Sequence, residues 1–342
     1  MSSKKKILVT GGCGYIGSHT VVELIHNNFE VIIIDDLSNS SIQTINNIEK
    51  ITGIKPLFCE CDLKNKKHLD NIIRYNKNID ATIHFAAYKA VGESVKKPLT
   101  YYQNNITSLL NLLEVQSNYN IDNFIFSSSA TVYGHPKKLP ITEKNKTQRP
   151  FSPYGNTKKI AEEILEDIAN SEKNFSCISL RYFNPIGAHE SSLIGELPNG
   201  IPNNLLPYIT QTAIGLREKL SVFGNDYPTP DGTPIRDYIH VVDLVKAHVK
   251  ALKRQLNNQQ ESNFEIFNLG TGNGYSVMDV IKTFEKVASR KLNYEIVDRR
   301  NGDVPELYAN ANLAKEKLCW KAEKNLEDMI RSSWEWEQKA RK

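Results

Sequence analysis

The glycine turn Gly11-x-x-Gly14-x-x-Gly17 follows a short apolar run, Lys6 to Thr10, and opens a segment of helix-spaced apolar residues. That combination restricts the backbone severely. The glycines allow a tight turn and close backbone approach, and they leave the N–H groups of a helix N-terminus facing outward, where a pyrophosphate binds. From Tyr15 to Asn28 the residues Ile16, Val21, Val22, Leu24 and Ile25 recur at helical spacing. Val31 to Ile34 is a buried-type strand ending in Asp35, where an acid accepts hydrogen bonds from adenosine ribose hydroxyls and repels a 2′-phosphate. Strand, turn, helix, strand and acid together predict a dinucleotide site that prefers NAD to NADP. Asp62, closing the third strand in Cys61-Asp62-Leu63, suits either the adenine amine or the N-cap of the next helix.

The alternation continues for half the chain. Strands are expected at Lys55 to Cys61, Ala81 to Ala86, Asn123 to Ser127 and Cys177 to Tyr182, with helices at Lys66 to Tyr75, Pro98 to Ser117 and Asn156 to Ala169. Regular β-α-β order with apolar strands predicts an α/β fold with a doubly wound parallel (Rossmann) sheet. After Pro185 the texture changes: Pro198 to Pro207 and Tyr227 to Pro234 read as ordered loops. Helices are expected at Leu205 to Leu216, Val241 to Leu256 and Val277 to Ser289, and a strand at Phe264 to Asn268. The division that follows is an NAD-binding domain over 1–185 and a smaller α/β substrate-binding lobe over 186–342, with the segment about 240–270 packing back onto the first domain.

Composition excludes several partners. A net charge of +4, from 43 basic and 39 acidic residues, is too balanced for a nucleic-acid or acidic-membrane surface. The basic run Lys4-Lys5-Lys6 leads into a strand rather than a signal peptide, and no window reaches the roughly 20 apolar residues of a membrane span. Five cysteines without zinc-site spacing predict reduced thiols and no metal site. The expectation is a soluble cytoplasmic protein.

The stretch Ser152-Pro153-Tyr154-Gly155-Asn156-Thr157-Lys158 carries the chemistry. Tyr154 and Lys158 lie one helical turn apart and face the same way. An ammonium near a phenol favours the phenolate, which makes Tyr154 a candidate base. Ser127-Ser128-Ser129 ends the preceding strand at the crevice edge of such a sheet, so Ser129 is placed to hydrogen-bond a substrate hydroxyl.

Thr10-Gly11-Gly12-x-Gly14-Tyr15-Ile16-Gly17, the Ser129 strand end and Tyr154-x-x-x-Lys158 resemble the extended short-chain dehydrogenase/reductase family. Within it the chain is similar over nearly its whole length to the UDP-glucose 4-epimerases, through His84 to Val95, Tyr182-Phe183-Asn184-Pro185, Gly187-Ala188-His189, Gly200 to Leu205, Phe223 to Thr229 and Arg236 to His240. The resemblance implies an isomerase in which Ser129 and the Tyr154 phenolate share the sugar 4-hydroxyl proton while hydride moves from C4 to NAD. Lys158 would bind the nicotinamide ribose, and the 4-keto sugar would turn over before hydride returns. It also implies cofactor contacts at Tyr15, Ile16, Asp35, Asn39, Ser40, Asp62, Leu63, Phe85, Ala86, Lys89, Asn104 and Phe183. UDP-sugar contacts are implied at Asn184, Asn204, Phe223, Arg236, Arg300 and Asp303, with the two arginines facing the diphosphate. A homodimer built from the helices at Pro98 to Ser117 and Asn156 to Ala169 is implied as well.

Leu307 stands where members restricted to plain hexoses carry tyrosine and those accepting N-acetylated sugars carry a small residue, which leaves UDP-N-acetylhexosamines open. Ala87 and Tyr88 replace the glycine and leucine of a common cofactor segment. Two other readings share the scaffold. A nucleotide-sugar 4,6-dehydratase needs an Asp-Glu pair after the strand-end hydroxyl, where this chain has Ala130 and Thr131. A catalytically silent NAD-binding regulator commonly lacks the Tyr or Lys that this chain keeps.

Overall fold

The computed structural model describes residues 4–136, 138–300 and 303–341. In chain order its first elements are β1 (Lys6–Thr10), α1 (Tyr15–His26), β2 (Glu30–Asp35), α2 (Gln43–Thr52), β3 (Leu57–Glu60), α3 (Lys66–Tyr75), β4 (Ala81–His84), α4 (Val91–Lys96), α5 (Pro98–Asn118) and β5 (Asn123–Ser129). A 3-10 turn over Ala130–Tyr133 leads to α6 (Pro153–Ser171), β6 (Ser176–Tyr182), β7 (Asn184–Ile186), α7 (Leu205–Ala213), β8 (Leu220–Phe223) and β9 (Ile235–His240). The chain ends with α8 (Val241–Leu256), β10 (Phe264–Leu269), β11 (Gly274–Ser276), α9 (Val277–Ala288), β12 (Tyr294–Val297), β13 (Glu306–Leu307), α10 (Asn312–Lys317) and α11 (Leu326–Ala340).

A seven-stranded sheet in the order β10-β6-β5-β4-β1-β2-β3 carries the first half. β1 pairs in parallel with β2 and β4, and β2–β3 and β4–β5 are parallel too. The reason is visible in the strands. Ile7, Leu8, Val9, Ile32, Ile33 and Ile34 are all fully buried, which only a sheet covered on both faces allows. The expected doubly wound sheet is present, and β10 joins it as an edge strand.

Two compact units share the chain, and neither is continuous. One holds residues 1–134, 147–181 and 245–267; the other holds 135–146, 182–244 and 268–342. Against the expected boundary at 185, one segment of the first unit ends at Arg181, and the expected return of about 240–270 corresponds to residues 245–267; the exchange of 135–146 is the difference. Residues 135–146 leave the first half because Ile141 bridges to Ala309 and accepts the Asn268 amide. Residues 245–267 join the first unit: Gln255 of α8 donates to Ser176 of β6, and Cys177 N–H donates to Asn263 O. In the second unit β9 pairs with β7, β11 and β13, and β8 with β12. Its core gathers Ile186, Leu206, Ile209, Phe284, Met329 and Ile330.

Several boundaries move. α6 starts at Pro153, before the expected Asn156, because Ser152 accepts the Gly155 N–H and proline is tolerated in a first helical turn. α7 stops at Ala213 instead of Leu216, where Gly215 takes a positive φ of 87°. The short strands of the second unit and α2, α4, α10 and α11 were not anticipated.

Candidate active site

The glycine turn leaves no room for side chains. Gly11 has φ +69°, and a Cβ on it would lie 2.7 Å from the Ala86 nitrogen; one on Gly17 would lie 2.1 Å from the Gly11 carbonyl oxygen. Gly14 precedes α1 with an extended backbone and no side-chain cap, so the first N–H groups of α1 are left for a ligand. Asp35, buried at the end of β2, accepts from the Cys13 N–H at 2.9 Å, the Leu37 N–H at 3.0 Å and the Ser40 hydroxyl at 2.7 Å. Burial pushes its carboxyl above the usual range, against those three bonds. An ionised carboxylate has about four acceptor positions, which leaves one for a ribose hydroxyl. Close backbone approach, uncapped N–H groups and a spare acceptor fit a dinucleotide.

The other cofactor candidates of this unit fall around that cradle in varying depth. Ala86 backs Gly11, and the Lys89 ammonium lies 5.8 Å from the Tyr15 ring centre. Phe85 packs against His248 with the rings tilted by 42°, while Ile16 is half-buried, Leu63 buried and Asn39 exposed. Asn104 is buried and donates its amide to Asn105. Asp62 does not cap α3: Asn65 does, accepting the His68 N–H at 3.1 Å, whereas Asp62 accepts from Lys64 N–H.

The reactive pair rides on the first turns of α6. Lys158 is buried, its Nζ donating to the Ser127 carbonyl at 2.6 Å and lying 4.8 Å from the Phe126 ring centre. Burial pushes Lys158 down to about 8, opposed by the nearby Glu162 carboxylate. The Tyr154 hydroxyl bonds to Ser129, and burial pushes the phenol up to about 12, Ser129 pulling the other way. The expected support of the phenolate by Lys158 is outweighed by burial in this structure. The ammonium is directed at Ser127 and Phe126, and desolvation dominates the phenol.

Ser129 has a defined polarity. Its oxygen accepts from the Thr131 N–H at 3.2 Å and the Thr131 hydroxyl at 3.0 Å. With both lone pairs engaged, its own proton is what it offers. Thr131 thus has a role beyond its lack of a carboxyl group, and the Ser-x-Thr spacing is the sequence signal for this local bond.

In the second unit, Asn184 donates its amide to the Asp237 carbonyl at 2.9 Å, and Asn204 donates to Glu196 at 2.7 Å. Phe183 is buried. The Arg300 guanidinium lies 4.1 Å from the Phe223 ring centre, its pKa lowered by burial. Arg236 pairs with Asp303 and donates to the Val304 carbonyl at 2.8 Å. Leu307, in β13, is the register partner of Arg236 in β9. The fold thus gathers Arg236, Asp303 and Leu307, and it sets Arg300, resting on Phe223, within electrostatic reach of both Arg236 and Asp303. A diphosphate would have to exchange with Asp303 for Arg236.

Among the described residues no helix is long and apolar enough to cross a membrane, and no cluster of three His, Cys, Asp or Glu residues could hold a metal ion.

A family model described as GDP-mannose 4,6 dehydratase matches residues 8–333. The UDP-glucose 4-epimerase of Drosophila melanogaster is 51% identical over 337 residues, 97% of this chain and 96% of that one. The Pasteurella multocida UDP-glucose 4-epimerase is 53% identical over 333 residues, 97% of each chain. Among solved structures, UDP-glucose 4-epimerase from Bifidobacterium longum in complex with NAD+ and UDP superposes with a TM-score of 0.94 at 46% identity, covering 98% of both chains. The Stenotrophomonas enzyme with bound NAD and formylated UDP-arabinopyranose gives a TM-score of 0.95 at 44% identity, covering 98% of this chain and 99% of that one. With relatives of this likeness spanning both units, and a strand end that reads Ser129-Ala130-Thr131, the chain belongs to the UDP-glucose 4-epimerase family of the short-chain dehydrogenases/reductases.

Proposed function

We propose that the protein is an NAD-dependent isomerase that interconverts UDP-galactose and UDP-glucose through a 4-keto sugar. The observation that carries this is the strand end Ser129-Ala130-Thr131, which holds no carboxyl group and lies close to Tyr154, with buried Lys158 one helical turn further along α6.

The turn at Gly11–Gly17 receives the pyrophosphate, Asp35 the adenosine ribose and Lys158 the nicotinamide ribose. Bound NAD supplies the acceptor and later the donor of the hydride at sugar C4, and adds a positive ring charge. Tyr154 takes the 4-hydroxyl proton as the C4–O bond becomes a carbonyl, and returns it in the second half. Ser129, its lone pairs occupied by Thr131, donates to the same oxygen and keeps it oriented. The Lys158 ammonium, one helical turn from Tyr154, favours the ionised phenol against the cost of burial. Ala130 and Thr131 offer no carboxylic acid to protonate and expel a leaving hydroxyl, which argues against elimination. On the second unit Arg236 and Arg300 supply guanidinium groups for the diphosphate.

The test is incubation with UDP-galactose and no added NAD. UDP-glucose is expected. A 4-keto-6-deoxy product would establish a dehydratase, and NAD-loaded protein without turnover a silent binder. The turnover ratio on UDP-galactose and UDP-N-acetylgalactosamine measures the room Leu307 leaves.

A homodimer through α5 and α6 fits the exposure of Leu99 and Leu110, which share one face of α5; a monomer in sedimentation at micromolar concentration would refute it. A reducing compartment such as the cytoplasm suits five free cysteines, three of them buried.

A further inference from the structure

α6 buries a charge that the reaction as described does not use. Glu162, one turn beyond Lys158, is buried, and all its polar partners come from within the first unit. One carboxylate oxygen accepts from the Ser128 hydroxyl at 2.6 Å, the Ser179 hydroxyl at 2.7 Å and Arg181 Nε at 2.9 Å. The other accepts from Arg181 Nη2 at 2.7 Å. Arg181 is buried as well, its guanidinium 4.7 Å from the Tyr133 ring centre. Such a satisfied network persists only where it is held from several sides.

Two consequences meet at the reactive pair. Ser127, Ser128 and Ser129 are consecutive on β5. Lys158 holds the first through its carbonyl, Glu162 the second through its hydroxyl, and Tyr154 the third. The strand end is thereby stitched to α6 at three successive residues. The charges facing Lys158 are also few. Tyr154 and Glu162 share its helix, His84 on β4 is neutral because burial holds it far down, and Tyr101 on α5 stays protonated. On β6, Cys177 is a buried thiol and Arg181 is bound to Glu162. Glu162 is the anion among them.

We propose that Glu162 is a positioning residue of the epimerase: its carboxylate holds Lys158 as an ammonium and locks the Ser127–Ser129 strand end against the helix that carries Tyr154. Because this rests on the epimerase reading, the pH dependence of kcat/KM for UDP-galactose is measured for wild type, Glu162→Gln and Ser128→Ala. Removing the anion lowers the pH at which Lys158 loses its proton. Glu162→Gln should therefore move the alkaline limb toward acid by about one pH unit or more, and Glu162→Asp should restore most of it. Ser128→Ala keeps the charge and removes one stitch, so kcat should fall several-fold with the limb in place. If Glu162→Gln does not fold, the double variant Glu162→Gln with Arg181→Met removes both buried charges and carries a smaller shift in the same direction. An unmoved alkaline limb in whichever variant folds, or full kcat in Ser128→Ala, overturns the proposal. A wild-type protein that leaves UDP-galactose unchanged overturns the reading beneath it instead, so the two failures are distinct.

Discussion

Replacing Gly17 by alanine tests the cradle most directly. The new Cβ would stand 2.1 Å from the Gly11 oxygen and 2.9 Å from both the Gly11 carbonyl carbon and Gly12 Cα. Cβ atoms essentially never come within 3.0 Å of a neighbour, so turn and helix must part by about 0.9 Å. The turn cannot simply slide, because Gly11 N–H is bound to the Ile34 carbonyl and Gly14 N–H to the Gly11 carbonyl. Overpacking costs about 1–3 kcal/mol and the strained Gly14 bond about 1 more. The sum, about 2–4 kcal/mol, corresponds to a fall in Tm of about 5–15 °C for a unit of this size. The same displacement draws the α1 N–H groups away from the pyrophosphate, and losing one or two charge-assisted bonds weakens NAD about 10–100-fold or more. The assay is Tm with and without added NAD, together with the NAD released on denaturing the purified protein. Gly53→Ala is the control: nothing lies within 4 Å of its Cβ position, so its φ of +71° alone should cost about 1 kcal/mol and leave NAD content intact. Full NAD content and an unchanged Tm in Gly17→Ala would refute the reasoning.

Other outcomes follow from the same geometry. Tyr154→Phe should lower kcat by about 10²–10⁴-fold with NAD content unchanged; turnover within threefold of wild type would remove Tyr154 as the base. Lys158 sits at about 8 in the fold against 10.5 ordinarily, so its burial penalty is full below pH 8. Between those values the unfolded chain holds more protons, and stability rises with pH. Cofactor-free Lys158→Met should lose that rise and gain up to about 3 kcal/mol at pH 7, which denaturant titration of both proteins at pH 7 and 9.5 would check. Asp237, fully buried, accepts from Thr271 N–H, Thr271 Oγ1, Gly272 N–H and Ala309 N–H. Asp237→Asn turns an amide donor toward two of them, at a cost of about 2–4 kcal/mol; a Tm within 2 °C of wild type would contradict this.

The first unit was legible because its signals are local and redundant. β1, the glycine turn and α1 each announce themselves in a handful of residues, and α3 and α8 fall on the expected bounds. The small sheet around β9 was not legible. β13 has two residues and β7 and β11 three each, too short for any alternation to register among prolines and glycines. The return of 245–267 to the first unit was legible, whereas the transfer of 135–146 was hidden for another reason: the bond that assigns it joins residues more than 100 positions apart. At the site, residue types and spacing located Ser129, Tyr154 and Lys158, while the balance between desolvation and charge needed coordinates. Glu162 offered one overlooked clue. With Lys158, Ala161, Leu165 and Ala169 it lies on the buried face of α6, and Arg181 ends an otherwise uncharged strand, so each charge called for a partner inside.

The placement of β10 at the sheet edge bears on how the protein is made. A ribosome releases β1 to β6, six of the sheet's seven strands, well before residues 264–269 emerge. Until then β6 presents an open row of backbone N–H and C=O groups, the kind of edge that recruits other chains. Gln255, which ties α8 to Phe124 and Ser176, also arrives late. The nascent dinucleotide half is therefore a waiting intermediate rather than a finished domain. A gene cut at 185 would produce that intermediate permanently, with its sticky edge uncovered.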